Sequence, residues 1–234
     1  MRYLIVNADD FGLSPGVNEG IARSHEQGVV TSASLLVRYS GAVEAAAYGR
    51  AHPELSLGLH LDLGEWVHRR GKWQALYEVV PSDDRAAVAR EARQQLARFR
   101  DLVGEDPTHI DSHQHVHRDE PARSVVSTIG LELEVPIRHL SGRVRYCGDY
   151  YGQTGKGEPY HEAISMDALL RVLAALPEGV TELACHPGLR EDLETMYRVE
   201  RVQEVSVLCD PAIRTAIARM GIHLCSFRAL PGSG

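Results

Sequence analysis

The strongest constraint on the fold of this 234-residue chain is a repeated pattern of short apolar segments, several of which end in polar residues. The first, residues 3–7, is a continuous apolar run, which is typical of a strand buried on both faces of a parallel sheet. Further strands are predicted at 32–37, 55–63, 134–139, 180–185 and 222–227. Helical spacing fills most of the intervals. This alternation predicts an α/β fold with mostly parallel strands, in a sheet that is open or closed as a barrel.

The helices carry their own start and stop signals. Residues 87–103 place apolar side chains at helical spacing, with Asp83 or Asp84 at the start and Gly104 at the end. A chain of this length can bury the core of one large α/β domain, and nothing in its composition demands a second. We therefore expect residues 1–234 to form a single domain.

Composition and charge exclude several classes of partner. The formal net charge of -7 leaves no basic surplus with which to bind nucleic acid or an anionic membrane surface. No apolar stretch is long enough for a membrane span, and the N-terminus lacks the features of a signal peptide. The four cysteines are widely spaced, as expected for reduced thiols. These features predict a cytoplasmic protein that acts on a neutral or weakly charged small substrate, and they leave a homodimer open.

Candidate functional residues stand at the ends of the predicted strands. Asp9 and Asp10 follow the first strand, His60 lies near the end of the third, and His186 follows the strand at 180–185. The richest segment, 108–117, has four histidines and an aspartate among its ten residues. In a parallel barrel such strand ends converge on one rim. Because neighbouring side chains rarely point the same way, we expect Asp9 and Asp10 to have different roles.

These residue types favour metal-assisted hydrolysis. Two histidines and one carboxylate form a three-ligand set that leaves a coordination position for water. A remaining carboxylate could then accept a proton, and a remaining histidine could donate one. His113, His115 and His117 would share one side of an extended chain, and His113 and His117 would share a face of a helix. The alternative is a polar loop whose histidines bind only backbone groups.

Two further segments are predicted to be loops. Residues 64–83 lack periodicity but contain Trp66, Trp73 and Tyr77, whose rings either stack on sugars or anchor the loop to the barrel. The glycine- and tyrosine-rich stretch within 146–160 is interpreted as a mobile, substrate-facing loop.

Four motifs in this order closely resemble the YdjC-like carbohydrate deacetylases, which include chitooligosaccharide deacetylases and hopanoid-biosynthesis-associated members. The motifs are Asn7-Ala8-Asp9-Asp10-Phe11-Gly12, Gly58-Leu59-His60, the segment 109–117, and Cys185-His186-Pro187-Gly188. The resemblance covers nearly the whole chain. It implies an irregular (β/α) barrel, one divalent metal ion, and removal of acetyl from an N-acetylated sugar.

Residue by residue, the resemblance implies that Asp10, His60 and His113 bind the metal. It also implies that Asp9 is the general base and His186 the general acid. Either magnesium or zinc suits such a site.

Two details of the resemblance concern individual positions. His115 and His117 are the reserve candidates for the second histidine ligand, whereas Gln114 stands where the family commonly has a consecutive histidine and is not an essential ligand. The stretches 29–36 and 151–187 resemble the hopanoid-associated branch, which would make the substrate a lipid-linked glycan rather than a soluble oligosaccharide.

Two other functions are compatible with parts of the pattern. One is another metal hydrolase of the amidohydrolase type, although that type carries its HxH motif on the first strand. The other is a sugar-binding or regulatory protein on a deacetylase scaffold that has lost turnover. The presence of Asp9, Asp10 and His186 argues against this second alternative, because a binding module needs neither a base nor an acid.

Overall fold

The computed structural model describes residues 1–190, 192–193 and 197–231. The strands are β1 (Arg2–Phe11), β2 (Ser32–Leu35), β3 (Ser56–Leu61), β4 (Gly64–Arg69), β5 (Lys72–Glu78), β6 (Ile110–Ser112), β7 (Val144–Cys147), β8 (Gly179–Cys185) and β9 (Ile222–Leu224). The helices are α1 (Pro15–Glu26), α2 (Ala42–Ala51), α3 (Arg85–Val103), α4 (Ala122–Leu133), α5 (Met166–Ala175), α6 (Val199–Leu208) and α7 (Pro211–Arg219). Short 3₁₀ helices occupy His113–Arg118, His161–Ile164 and Phe227–Ala229.

The main sheet is parallel and curled. Its strands run in the order β6-β3-β2-β1-β8-β7, and β9 pairs with the first residues of β1. Every pair in this sheet is parallel, whereas β4 and β5 form a separate antiparallel hairpin. The result is an incomplete barrel with helices packed around it. The predicted α/β fold with an irregular, mostly parallel barrel is confirmed.

Strand β1 lies at the centre of this sheet. Leu4, Ile5 and Val6 are completely buried, as expected for a strand covered on both faces. Near its carboxyl end the register against β2 shifts between Ala8 and Phe11. An irregularity of this kind re-aims side chains at the end of a strand.

The local signals for α3 are confirmed. The carboxylate of Asp84 accepts hydrogen bonds from the backbone N–H groups of Ala86 and Ala87, so Asp84 rather than Asp83 is the N-cap. Gly104 ends the helix with a φ of 86°, a left-handed conformation that glycine adopts without a Cβ clash. The helix packs its apolar face against the sheet and brings the chain to β6.

Two predicted elements are wrong. Residues 64–83 are not a structureless loop, because most of them form the β4–β5 hairpin. Residues 134–139 are not a strand: Ile137 makes one isolated bridge to Ile110. Helix α4 extends to Leu133 and Glu134 caps it in a left-handed conformation, which uses the start of the predicted strand. Helix α6 was not predicted.

No helix in the described ranges is long and apolar enough to cross a membrane. The cytoplasmic location, the homodimer and the mobility of the 146–160 stretch stay predictions.

Candidate metal centre and active site

A cavity of about 620 Å³ opens at the carboxyl ends of the central strands. All five residues to which the sequence analysis assigned roles line it: Asp9, Asp10, His60, His113 and His186. Parallel strands place their carboxyl ends at one edge of a sheet, which is where such folds bind ligands. The expected convergence of these strand ends is therefore observed.

Asp10 lies between two histidines. Its Oδ1 is 3.2 Å from Nδ1 of His113 and 3.5 Å from Nε2 of His60. One potential ligand atom from each of the three residues lies within 4.8 Å of the others. Asp10 has a φ of 68°, a left-handed conformation that breaks the alternation of β1. As a result both Asp9 and Asp10 face the cavity, although neighbours in a regular strand point to opposite sides.

The second oxygen of Asp10 is already engaged. Its Oδ2 accepts a 2.6 Å hydrogen bond from Nη2 of Arg201, a residue of α6. Burial opposes ionisation of Asp10, but Arg201 and the two histidines outweigh it and hold the pKa well below its usual range. The ionised carboxylate therefore presents Oδ1 to His60 and His113.

A buried carboxylate contacts the ring nitrogen of His60 that does not face Asp10. Its Nδ1 lies 2.7 Å from Oδ1 of Asp111, a distance at which the ring donates a proton and leaves Nε2 directed toward Asp10. Asp111 also accepts a 2.7 Å hydrogen bond from Oγ of Ser34. Burial lowers the pKa of His60, but Asp111 and Asp10 outweigh it and raise the value to about 10. The two carboxylates therefore stabilise positive charge on His60, including at the Nε2 side that faces Asp10.

This donor set fits a divalent metal ion. A carboxylate and two imidazoles are ligands that zinc and related ions bind, and a carboxylate hydrogen-bonded to a ligating histidine is the usual support for it. A second possible group consists of Asp9, His60 and Asp111. We favour the first group, because the guanidinium of Arg138 already lies between Asp9 and Asp111, at 2.6 Å and 2.8 Å from their oxygens.

Arg138 controls the state of Asp9. Its Nη1 and Nη2 donate to the two carboxylate oxygens at 2.6 and 2.7 Å, and Glu182 and Asp111 accept further bonds from the same guanidinium. Burial raises the pKa of Asp9, but Arg138 more than offsets this and the pKa is lowered. Asn7 donates a 2.9 Å hydrogen bond to the same carboxylate. Asp9 is thus ionised and fixed in orientation.

His186 faces Asp9 across the cavity. Its Nε2 lies 3.8 Å from Oδ2 of Asp9, and its Nδ1 is buried without a hydrogen-bond partner among the described residues. Burial lowers the pKa of His186 to about 4, so the ring is neutral near pH 7. The rings of Tyr151 and Tyr197 stack on each other, with centroids 4.9 Å apart, and both contact His186.

The reserve histidines take other positions. His117 is buried, with Nδ1 bonded to Ser112 and Nε2 2.9 Å from the backbone carbonyl of Arg138, so neither nitrogen faces the triad. His115 lines the cavity but contacts His139 and Tyr146 instead of Asp10. The expectation that His113 and His117 share a face is wrong. The chain turns through left-handed residues at positions 114 and 115, which separates them.

The roles of Arg138, Arg201 and Asp111 were not predicted from the sequence. Asp111 stood inside the histidine motif, two residues before the potential ligand His113, and this place was the available signal. The other two carry no local signal, because one comes from an irregular segment and the other from the unpredicted helix α6. Their roles depend on contacts between residues 129 and 191 positions apart.

Comparisons with known proteins find similarity over nearly the whole chain. The family profile described as YdjC-like protein matches residues 3–219. A carbohydrate deacetylase of Geobacillus stearothermophilus is 34% identical over 97% of this chain and 97% of its own length. A chitooligosaccharide deacetylase of Serratia marcescens is 33% identical over 98% of this chain and 99% of its own.

Two solved structures have a similar fold. An Enterococcus faecalis V583 protein whose suggested role is cellobiose-phosphate cleavage superposes with a TM-score of 0.76 at 26% identity, covering 97% of this chain and 98% of that one. A family 4 carbohydrate esterase from Streptomyces lividans, in complex with acetate, gives a TM-score of 0.57 at 15% identity over 96% and 91% of the two chains. The second likeness shows the fold alone.

Proposed function

The chain belongs to the YdjC-like protein family, and from this premise we propose that it is a metal-dependent carbohydrate deacetylase that hydrolyses the acetamide of an N-acetylated sugar. One observation carries the proposal: a triad suited to a metal, Asp10, His60 and His113, lies in the same cavity as an ionised Asp9 and a neutral His186. A pure binding site has no need for this combination.

The metal would be held by the carboxylate Oδ1 of Asp10 and by the imidazoles of His60 and His113. When bound, a divalent ion polarises the amide carbonyl and acidifies a water molecule. The neighbouring residues prepare the ligands. Asp111 fixes the orientation of His60, and Arg201 holds the other oxygen of Asp10. Two imidazoles and a carboxylate suit zinc and other first-row ions, and magnesium is tolerated in some such sites.

Asp9 and His186 would move the proton. Asp9 is ionised and can accept a proton from the attacking water, and Arg138 keeps both of its oxygens in place. His186 is neutral in the resting protein, because its pKa is lowered to about 4. The proton that His186 gives to the departing amine must therefore arrive during the reaction. Asp9 can supply it after accepting a proton from water, since its Oδ2 lies 3.8 Å from Nε2 of His186.

The test is acetate release from N-acetylated sugars, both soluble and lipid-linked. The protein is stripped of metal and then supplied with single divalent ions, with Asp9→Asn as the matched variant. We expect release that depends on the metal and is abolished in Asp9→Asn. Stoichiometric metal binding without release from any sugar would contradict the proposal and favour a binding protein on this scaffold.

A further inference from the structure

The two histidines of the triad present different ring nitrogens to Asp10. His60 faces Asp10 through Nε2, whereas His113 faces it through Nδ1. A histidine that binds a metal through one nitrogen almost always donates the N–H of the other nitrogen to a carboxylate, a backbone carbonyl or water. For His60 that partner is Asp111, 2.7 Å from Nδ1. Nε2 of His113 therefore needs a partner of its own.

The carboxylate of Glu65 lies on that side of His113. Its Oε2 is 4.0 Å from Nε2, and both side chains are largely shielded from solvent, with 14% of Glu65 and 17% of His113 exposed. Glu65 lines the same cavity as the triad. Among the described residues, however, it belongs to neither group of side chains whose potential ligand atoms lie within 4.8 Å of one another. Its position therefore suits support of His113 rather than direct contact with a metal.

The chemistry of imidazole links the two nitrogens of His113. A neutral ring carries a single N–H, so a ring that offers the lone pair of Nδ1 to a metal must carry its proton on Nε2. Metal binding at Nδ1 and a hydrogen bond from Nε2 to Glu65 thus require the same tautomer. The separation of 4.0 Å is longer than a hydrogen bond, but an approach of about 1 Å would give normal length. Such a bond to a carboxylate is roughly twice as strong as one between neutral groups.

Glu65 belongs to the β4–β5 hairpin, and the hairpin is already attached to the histidine segment at the next residue. The side chain of Gln114 accepts from the backbone N–H of Trp66 at 2.8 Å and donates to its carbonyl at 2.9 Å. A bond between Glu65 and His113 would join the same two segments. Because an isolated two-stranded hairpin is only marginally stable in water, each bond of this attachment affects how often the hairpin opens.

We propose that Glu65 is a positioning residue whose carboxylate accepts the Nε2–H of His113 when Nδ1 binds the metal, and that this bond couples metal binding to closure of the β4–β5 hairpin on the cavity. Coupling of this kind is reciprocal: the metal holds the hairpin closed, and the closed hairpin strengthens metal binding. The inference rests on the proposed function, because it takes Asp10, His60 and His113 as the metal ligands.

Metal affinity tests the support of His113. Zinc is titrated calorimetrically into the stripped protein at constant pH, and cooperative thermal unfolding verifies that each variant is folded. Glu65→Ala should raise the dissociation constant about 10-fold, at the lower end of the usual range for such support because Glu65 is partly exposed. Glu65→Gln should raise it only about 3-fold, since the amide oxygen still accepts a neutral hydrogen bond.

A matched control lies at the base of the same hairpin. Glu78 pairs with Gly64 and is exposed, and it does not line the cavity. Glu78→Gln removes the same charge from the hairpin as Glu65→Gln and should leave zinc affinity unchanged.

Tryptophan emission tests the coupling to the hairpin. Both tryptophans of the chain, Trp66 and Trp73, belong to the hairpin, so the intrinsic emission reports on this element. Saturating zinc should change the emission of the wild type and of Glu78→Gln. In Glu65→Ala, saturating zinc should leave the emission nearly unchanged, because the bound metal no longer acts on the hairpin.

Three outcomes would overturn this inference alone: equal zinc affinity of the wild type and Glu65→Ala, an equal loss in Glu65→Ala and Glu65→Gln, or the same change of emission in the wild type and Glu65→Ala. The second outcome would assign the effect to negative charge without a hydrogen bond. The proposed function fails on a different observation, which is the absence of metal binding by the wild type, and that result would overturn both.

Discussion

Asp111→Asn should weaken metal binding while preserving the fold. The carboxylate of Asp111 accepts bonds from His60 Nδ1 at 2.7 Å, from Ser34 Oγ at 2.7 Å and from Arg138 Nη2 at 2.8 Å. Asparagine has the same shape and can still accept one bond from His60. That bond becomes a neutral one, roughly half as strong as the charge-assisted bond it replaces.

The expected loss follows from what this carboxylate does for His60. Support of this kind for a ligating histidine is typically worth 10- to 100-fold in metal affinity, or about 1.4–2.7 kcal/mol. The assay is calorimetric titration of zinc into the stripped protein at constant pH, accompanied by thermal unfolding. We expect the dissociation constant to rise within this range and the unfolding transition to remain cooperative.

A second buried aspartate provides the control. Asp62 accepts bonds from the Gly64 N–H and the Tyr77 hydroxyl but lies outside the triad. Asp62→Asn should reduce stability without changing metal affinity. An unchanged dissociation constant in a folded Asp111→Asn protein would refute the support of His60 by Asp111. Complete loss of binding would instead identify Asp111 as a direct ligand.

Three further substitutions have defined outcomes. Arg138→Met leaves three buried carboxylates without their cation and should lower the free energy of unfolding by about 3–5 kcal/mol in a urea titration. Gln114→Ala removes both hydrogen bonds to the backbone of Trp66. The free energy of local opening of the hairpin should fall by about 1 kcal/mol, which should speed tryptic cleavage after Arg70 about 5-fold. Burial raises the pKa of Glu204 from 4.5 to about 8, so its contribution to stability is full below about pH 4.5 and is lost as the pH rises toward 8. The free energy of unfolding of the wild type relative to that of Glu204→Gln should therefore fall between about pH 5 and about pH 8, by at most about 1.4 kcal/mol per pH unit. Urea unfolding across this pH range measures it, and the same pH dependence in both proteins would contradict the prediction.

The convergence of Asp9, Asp10, His60 and His186 could be predicted from the sequence, because it depends on a general property of parallel sheets. Apolar runs identify the strands, and the geometry of the sheet brings their carboxyl ends together. No distance between particular side chains is needed for this step. The N-cap of α3 could likewise be assigned to Asp83 or Asp84 from local chemistry, because capping also needs no distance between residues far apart in the chain.

The hairpin could not be predicted, for two physical reasons. The extra residue Leu76, which lies opposite the step from Glu65 to Trp66, breaks the alternation that would identify β5. Strand β5 is exposed along most of its length, so it shows no contrast between a buried and a solvent-facing side. The ion pairs of Arg138 and Arg201 were equally inaccessible, because they join segments that only the completed fold brings together.

Strained backbone explains why the histidine motif in particular was misread. Among the described residues, six non-glycine positions have a positive φ, and three of them, Asp10, Gln114 and His115, line the cavity. Such a conformation costs roughly 1–2 kcal/mol and persists only where surrounding contacts hold it. Arg201 provides such a contact for Asp10, and the backbone of Trp66 does so for Gln114. Periodicity assumes an unstrained chain, and it therefore fails at the turns that separate His113 from His117 and point Asp9 and Asp10 into one cavity.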